Sequence, residues 1–268
     1  MEQSVIIKQL QDISTLKEVE VFQRKIWGTE LITPLPQLVA AIHHGGSCFA
    51  AYDQHLLVGF VYGFSGYQNK QNILVSHMMA IDPAFRNRGI GELLKRTQKK
   101  WAENYGYEKI VWTFDPLESR NAYLNLHKLG AYVRTYYNSY YGELDDGLNQ
   151  GLPTDRFLVE WDIYVSEKEN FLQREDTAEK IIDFSVQDQF AVPKVNSVTM
   201  EDPVYLIGVP ANIQKLKKSN LQLAKEWRSA QRKIFTEAFA KGYRTVDFIA
   251  AQKEEPVSFY IIEKIAEK

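Results

Sequence analysis

The segment from Val75 to Trp101, VSHMMAIDPAFRNRGIGELLKRTQKKW, leaves this chain little freedom in how it folds. Val75 to Ile81 is a short apolar run that reads as a strand. It leads into a basic, glycine-bearing turn, Arg86-Asn87-Arg88-Gly89-Ile90-Gly91. Ile90, Leu93, Leu94, Thr97 and Trp101 then recur at helical spacing, which predicts an amphipathic helix with one buried stripe. Glycines at a helix start let backbone N–H groups approach an anion with no side chain in the way. The helix N-terminus adds unpaired donors and partial positive charge. The strand–turn–helix unit therefore reads as a seat for a phosphate or pyrophosphate.

Two common phosphate loops do not fit the letters. A P-loop needs Lys-Ser or Lys-Thr after its last glycine, and none follows Gly91. A dinucleotide fingerprint needs a third small residue where Leu94 stands. What remains is Arg86-x-x-Gly89-x-Gly91. From Arg86 to Lys100 there are six bases (Arg86, Arg88, Lys95, Arg96, Lys99 and Lys100) against one acid, Glu92. That local field suits a polyphosphate ligand, although Lys99 and Lys100 read as a solvated face. Nucleic acid is disfavoured as a partner, because 32 basic residues are balanced by 34 acidic ones with no extended basic stripe.

At 268 residues the chain is long enough for one large or two ordinary domains. Cys48 is the single cysteine, so no internal disulfide forms, and its apolar surroundings mark it as a core residue. No run reaches the length of a membrane helix, and the N-terminus lacks a charged-then-apolar signal pattern. A cytoplasmic protein with no membrane partner is the expectation. No Cys/His cluster has metal spacing, so no metal is expected.

The expected order begins with a strand at Val5 to Lys8. A helix follows, opened by the capping-box pattern Thr15-x-x-Glu18 and ended by Gly28. A short helix runs from Pro34-Leu35-Pro36 to Ile42. Cys48 to Tyr52 and Leu56 to Phe64 read as strands, and Gly66 to Asn72 as a polar loop. Beyond the central unit come a strand at Lys109 to Phe114, a helix at Ser119 to Leu129 ended by Gly130, and strands at Ala131 to Tyr137 and Phe157 to Tyr164. This is a mixed α/β (α+β) fold. Residues 166–189 read as a charged linker between a domain at 1–165 and a smaller α/β domain at 190–268. In the latter, Val204 to Val209, Thr245 to Ile249 and Val257 to Ile262 are strands. Leu221, Ala224, Trp227, Ile234, Phe235 and Ala238 trace a long helix.

Met79-Ala80-Ile81-Asp82-Pro83-Ala84-Phe85-Arg86-Asn87-Arg88-Gly89-Ile90-Gly91, together with the later Lys128-Leu129-Gly130, resembles the GNAT superfamily of N-acetyltransferases. The resemblance spans roughly Val5 to Tyr164, and the two-part chain looks like a subgroup with an added C-terminal α/β domain. It implies a GNAT-like mixed sheet flanked by helices and acetyl-CoA (coenzyme A) as co-substrate. The amides from Arg86 to Gly91 would then hold the pyrophosphate. The backbone of Met79, Ala80 and Ile81 would bind the pantetheine arm and polarise the thioester carbonyl. Asn121 is either a further cofactor contact or a turn residue satisfying backbone donors.

Acetyl transfer to an amine needs a polarised carbonyl, a base for the ammonium and a proton for the thiolate. His77 is the first candidate base. Its parity with Met79 and Ile81 predicts the same face of the strand, and an imidazole titrates near neutrality. A hydrogen-bonded core histidine is the other reading. Asp115 and Glu118 are the alternative bases. Relatives carry a tyrosine acid where this chain has Leu126, so Tyr123, Tyr141 or solvent would serve. The acceptor is expected to be a small-molecule or peptide amine. Asp145, Asp146, Asp155 and Arg156 are candidates for an acidic rim beside it, with an Asp155–Arg156 ion pair as the alternative. A non-catalytic acyl-CoA-binding or interaction module is the competing function. The sequence leaves the oligomeric state open.

Overall fold

A computed structural model of the protein describes residues 5–29, 31–142, 151–164 and 178–265. The chain forms a mixed α/β structure in two compact units. One comprises Met1–Trp112 with Trp161–Val165, and the other Thr113–Glu160 with Ser166–Lys268.

The first unit contains β1 (Ile6–Gln9), α1 (Ile13–Trp27), α2 (Leu35–His43), β2 (Ser47–Asp53), β3 (Leu56–Gln68), β4 (Gln71–Ile81), α3 (Ile90–Tyr105) and most of β5 (Lys109–Phe114). Its strands lie in the order β1-β2-β3-β4-β5. The β1–β4 ladders are antiparallel, and β5 joins parallel to β4. Alternation in β2 assigns its residues to two cores. Cys48, Ala50 and Tyr52 pack with Leu16, Val19 and Phe22 of α1 and Leu38 of α2. Phe49 and Ala51 pack with Ile90 and Leu94 of α3. A sheet covered on both faces reads as nearly continuous apolar strands, as β2 does.

Local signals differ from expectation in three places. The α1 N-cap is Asp12, whose Oδ1 accepts from the Thr15 amide at 3.0 Å. Such a cap contributes about 1 kcal/mol. Glu18, the other half of the expected capping box, instead accepts from the Tyr52 hydroxyl at 3.0 Å. The polar stretch from Gly66 to Asn72 is no loop, because β3 and β4 pair through to Gln68 and Gln71. Asn69 and Lys70, at φ 52 and 62, make the two-residue turn between them. The buried stripe of α3 is also rotated. Leu93 is 45% exposed, while Lys95 and Gln98 are buried with Ile90, Leu94 and Ala102.

The second unit holds the end of β5, α4 (Ser119–Ala122) running into a π-helical stretch (Tyr123–Lys128), β6 (Tyr132–Tyr137), β7 (Arg156–Asp162), β8 (Glu179–Gln187), β9 (Phe190–Val195), β10 (Val204–Pro210), α5 (Ile213–Ser219), α6 (Leu221–Ala240), β11 (Tyr243–Ile249) and β12 (Val257–Lys264). Its strand order is β7-β6-β11-β12-β10-β8-β9. Phe235 of α6 packs at 4.7 Å from Phe157 of β7 and 5.3 Å from Tyr260 of β12. Thr245 of β11 pairs with Val133 of β6.

The chain passes between the compact units at Trp112/Thr113, at Glu160/Trp161 and at Val165/Ser166. The C-terminal strands extend the β6–β7 ladder instead of forming a sheet of their own. Residues 179–187, expected within the linker, form β8, which is hairpinned to β9 through Asp188 and Gln189. The rest of the expected linker, apart from Ala178 and the turn at Asp188 and Gln189, lies outside the described residues.

Candidate functional site

The first unit carries the anion seat. Asp82 ends β4, donating its amide to the Val58 carbonyl at 2.8 Å. Its carboxylate accepts from the Ala84 amide at 3.0 Å and from Lys25 Nζ at 2.7 Å. The Lys25 bond, with the Ala84 amide, holds its pKa below the usual carboxylate range. These bonds fix where the chain leaves the strand. Arg86 Nε donates to the Ile81 carbonyl at 3.3 Å, and Arg88 lies over the Phe85 ring at 4.8 Å. Both arginines are exposed.

Asn87 (φ 64) and Gly89 (φ 75, ψ 0) then turn the chain into α3. A Cβ built on Gly89 meets nothing within 4 Å, so the space above this glycine is open. The first bond of the α3 ladder runs from the Leu93 amide to the Gly89 carbonyl at 3.0 Å. The amides of Ile90, Gly91 and Glu92 therefore precede the ladder, and no side chain among the described residues caps them. Open space, left-handed backbone, unpaired amides and exposed arginines together suit a pyrophosphate.

The strand leading to this loop has a free edge. The parallel β4–β5 register covers only Ile73–Val75 against Lys109–Val111. From Ser76 to Ile81, β4 has no paired strand on that side among the described residues. The backbone of Met79, Ala80 and Ile81, expected to bind the pantetheine arm, lies along this edge.

On its other side β4 is bulged, because the register with β3 shifts between Tyr62 and Phe64. Gly63 sits opposite the bulge, where a Cβ would come within 2.9 Å of the Val75 carbonyl and 3.1 Å of Gln98 Nε2. The bulge breaks the alternation on which His77 was assigned its face. The His77 ring lies 6.4 Å from Tyr62 and 5.6 Å from Phe64, residues of the α1/α2 core, whereas Met79 and Ile81 pack with α3. His77 is nonetheless exposed, and crowding by protein lowers its pKa from the ordinary value. It is thus a neutral imidazole at neutral pH, open to solvent.

Lys95 departs furthest from expectation. It is 2% exposed, so it adds nothing to the surface field around the loop. Its Nζ donates to Ser76 Oγ at 2.8 Å and sits 3.4 Å from the Trp112 ring centroid. Ser76 Oγ donates to Gln98 Oε1 at 2.7 Å, and Gln98 Nε2 to Ser47 Oγ at 3.2 Å. Burying an ammonium costs several kcal/mol, so burial drives the Lys95 pKa well below its ordinary value.

The second unit holds the remaining candidates. Asp115 is committed elsewhere. Both its oxygens accept from Arg228 Nη2 at 2.6 Å, and Oδ1 also accepts from the Leu117 amide at 2.8 Å. Arg228 is 2% exposed, and although burial opposes its charge, Asp115, Tyr136 and Asp155 hold its pKa up. A carboxylate so occupied is a structural anchor. Glu118, three residues on, differs. Burial raises its pKa, and its carboxylate accepts from Gln214 Nε2. Asn121 is exposed, with its amide bonded to the Glu118 carbonyl at 2.9 Å. Tyr123 stacks on His127 at 4.8 Å. Tyr141 is 45% exposed, with its hydroxyl 3.4 Å from Thr113 Oγ1. Leu126 is fully buried, so the position of the relatives' tyrosine belongs to the core.

Asp155 does not form an acidic rim. It is fully buried, bound by Arg232 at 2.6 and 2.8 Å and by the Tyr136 hydroxyl at 2.6 Å. Arg156 instead approaches Asp115, at 3.9 Å. Asp145 and Asp146 lie outside the described residues. Among the described residues no group of His, Cys, Asp or Glu side chains could hold a metal, and no helix is long and apolar enough to cross a membrane.

Residues 13–131 match the model of the acetyltransferase (GNAT) family. No curated protein matches the sequence. Similar solved structures include Arabidopsis thaliana NAA60 in complex with acetyl-CoA, at 14% identity and a TM-score of 0.49, covering 60% of this chain and 99% of that one. The ribosomal-protein-S18-alanine N-acetyltransferase from Escherichia coli is similar at 15% identity and a TM-score of 0.47, covering 62% and 98%. A GNAT-family acetyltransferase from Streptococcus pneumoniae is similar at 13% identity and a TM-score of 0.48, covering 59% and 98%.

Proposed function

We propose that the protein is an acetyl-CoA-dependent N-acetyltransferase acting on the amine of a small molecule or peptide. The observation that carries this reading is the open amide seat at Gly89–Glu92, continuous with the free edge of β4. The co-substrate supplies an activated acyl thioester. The loop amides, with Arg86 and Arg88, hold its pyrophosphate. The backbone of Met79–Ile81 binds the pantetheine arm, and the amides of Met79 and Ile81, which face away from β3, polarise the thioester carbonyl.

Transfer forms an N–C bond and breaks the C–S bond. The attacking nitrogen must first lose a proton, and His77, exposed and neutral, takes it directly or through one water. The departing thiolate takes a proton from water. The buried Leu126 favours a second reading, an acyl-CoA-binding module without turnover.

The two readings separate on incubation with acetyl-labelled acetyl-CoA and a panel of small-molecule and peptide amines. The enzyme reading expects label on at least one acceptor and its loss in Gly89→Val. Tight binding of acetyl-CoA with no labelled acceptor would leave the module.

A further inference from the structure

Where the β4–β5 fork closes, the Lys95 side chain lies against both strands. Parallel pairing ends at Val75 and Val111. The next residues are Ser76 and Trp112, and Lys95 Nζ touches both, at 2.8 Å from the hydroxyl and 3.4 Å from the ring centroid. The lysine is pinned there. Ser76 and Gln98 form a buried chain that ends on Ser47 Oγ, and Gly63 has no Cβ to displace Gln98.

We propose that Lys95 is the floor of the acyl channel and confines the transferred group to about four carbons or fewer. The inference rests on the acetyl-CoA reading above. A cofactor whose pyrophosphate lies at Gly89 and whose thioester lies against the Met79 and Ile81 amides directs its acyl chain along β4 toward the apex. Met79 and Ser76 are three residues apart, about 10 Å of strand, less where the bulge shortens it. Contact distance to the floor takes about 3.5 Å of that. The remaining length, about 6 Å, holds a butyryl chain and excludes an octanoyl chain. Burial lowers the Lys95 pKa well below its ordinary value, which weakens any pull of the floor on an acyl carboxylate.

The test is the affinity of the intact protein for free CoA and for acetyl-, butyryl-, octanoyl- and succinyl-CoA, measured by calorimetry. In the wild type, acetyl- and butyryl-CoA should bind within about threefold of each other, and octanoyl-CoA at least about tenfold more weakly. Lys95→Ala should erase most of the octanoyl penalty, whereas Lys95→Met, which keeps the volume, should retain it. Octanoyl-CoA binding the wild type as tightly as acetyl-CoA overturns the proposal without any variant. An unchanged octanoyl penalty in folded Lys95→Ala, or succinyl-CoA bound more tightly than acetyl-CoA, also overturns it. Failure of free CoA to bind the wild type instead sinks the cofactor reading itself, so the two failures are distinguishable.

Discussion

Replacing Asp115 distinguishes an anchor from a catalyst. Its two oxygens lie 2.6 Å from Arg228 Nη2, and the arginine is 2% exposed. Arg228 Nε and Nη1 have no hydrogen-bond partner among the described residues. Asp115→Ala therefore leaves a buried guanidinium without its closest counter-charge and frees the Leu117 amide. Removing one partner of a buried pair costs about 3–5 kcal/mol. Arg156 at 3.9 Å is itself a cation and offers no relief. Urea unfolding should show a loss in this range. The double variant Asp115→Leu/Arg228→Met should recover much of it, because an apolar pair of similar volume avoids both desolvation penalties. A loss below about 1 kcal/mol, with turnover abolished, would refute the anchor role and return Asp115 to the list of bases.

His77, with its pKa lowered by crowding, should place the acid limb of kcat/KM below the ordinary histidine value near 6.5, and His77→Gln should remove that limb while leaving CoA affinity within about twofold. An unmoved pH profile excludes it as the base. Asp155→Asn should destabilise by about 1–3 kcal/mol at neutral pH in urea titrations. Burial works to raise the Asp155 pKa, but bonds from Arg232, Tyr136 and Ser139 hold it below the usual range. Its contribution is therefore present above the unfolded pKa near 3.9 and is lost as pH falls through the folded value. The gap between wild type and variant should close on acidification, and a gap independent of pH contradicts the assignment.

The anion seat was legible because its determinants are local. Gly89 needs positive φ, Gly91 opens a helix, and Ile90 and Leu94 mark the face that helix buries. His77 was placed on the wrong face because parity holds only along an unbulged strand, and the bulge depends on Gly63 of a neighbouring strand. Lys95 looked like a surface base because a lysine between Leu94 and Arg96 gives no hint of Ser76 and Trp112. Asp115 looked free because Arg228 lies 113 residues away. The β8–β9 hairpin escaped notice because its turn is Asp188-Gln189, with positive φ at both residues and no glycine to signal it. The division of the chain at Trp112 followed from Thr245 pairing with Val133, a contact no local pattern encodes.

The central claim is that bare amides at Gly89–Glu92 hold the pyrophosphate of coenzyme A. It is tested most directly by thermal unfolding with and without millimolar CoA, on the wild type and on Gly89→Val. The variant costs about 1–2 kcal/mol of backbone strain at φ 75, and its side chain enters the open space where a phosphate would sit. The account predicts that CoA at about 100 times its Kd stabilises the wild type by about 2.7 kcal/mol, several degrees in Tm, and leaves the variant unmoved. A wild type indifferent to CoA, or a variant shifted as much as the wild type, would contradict it.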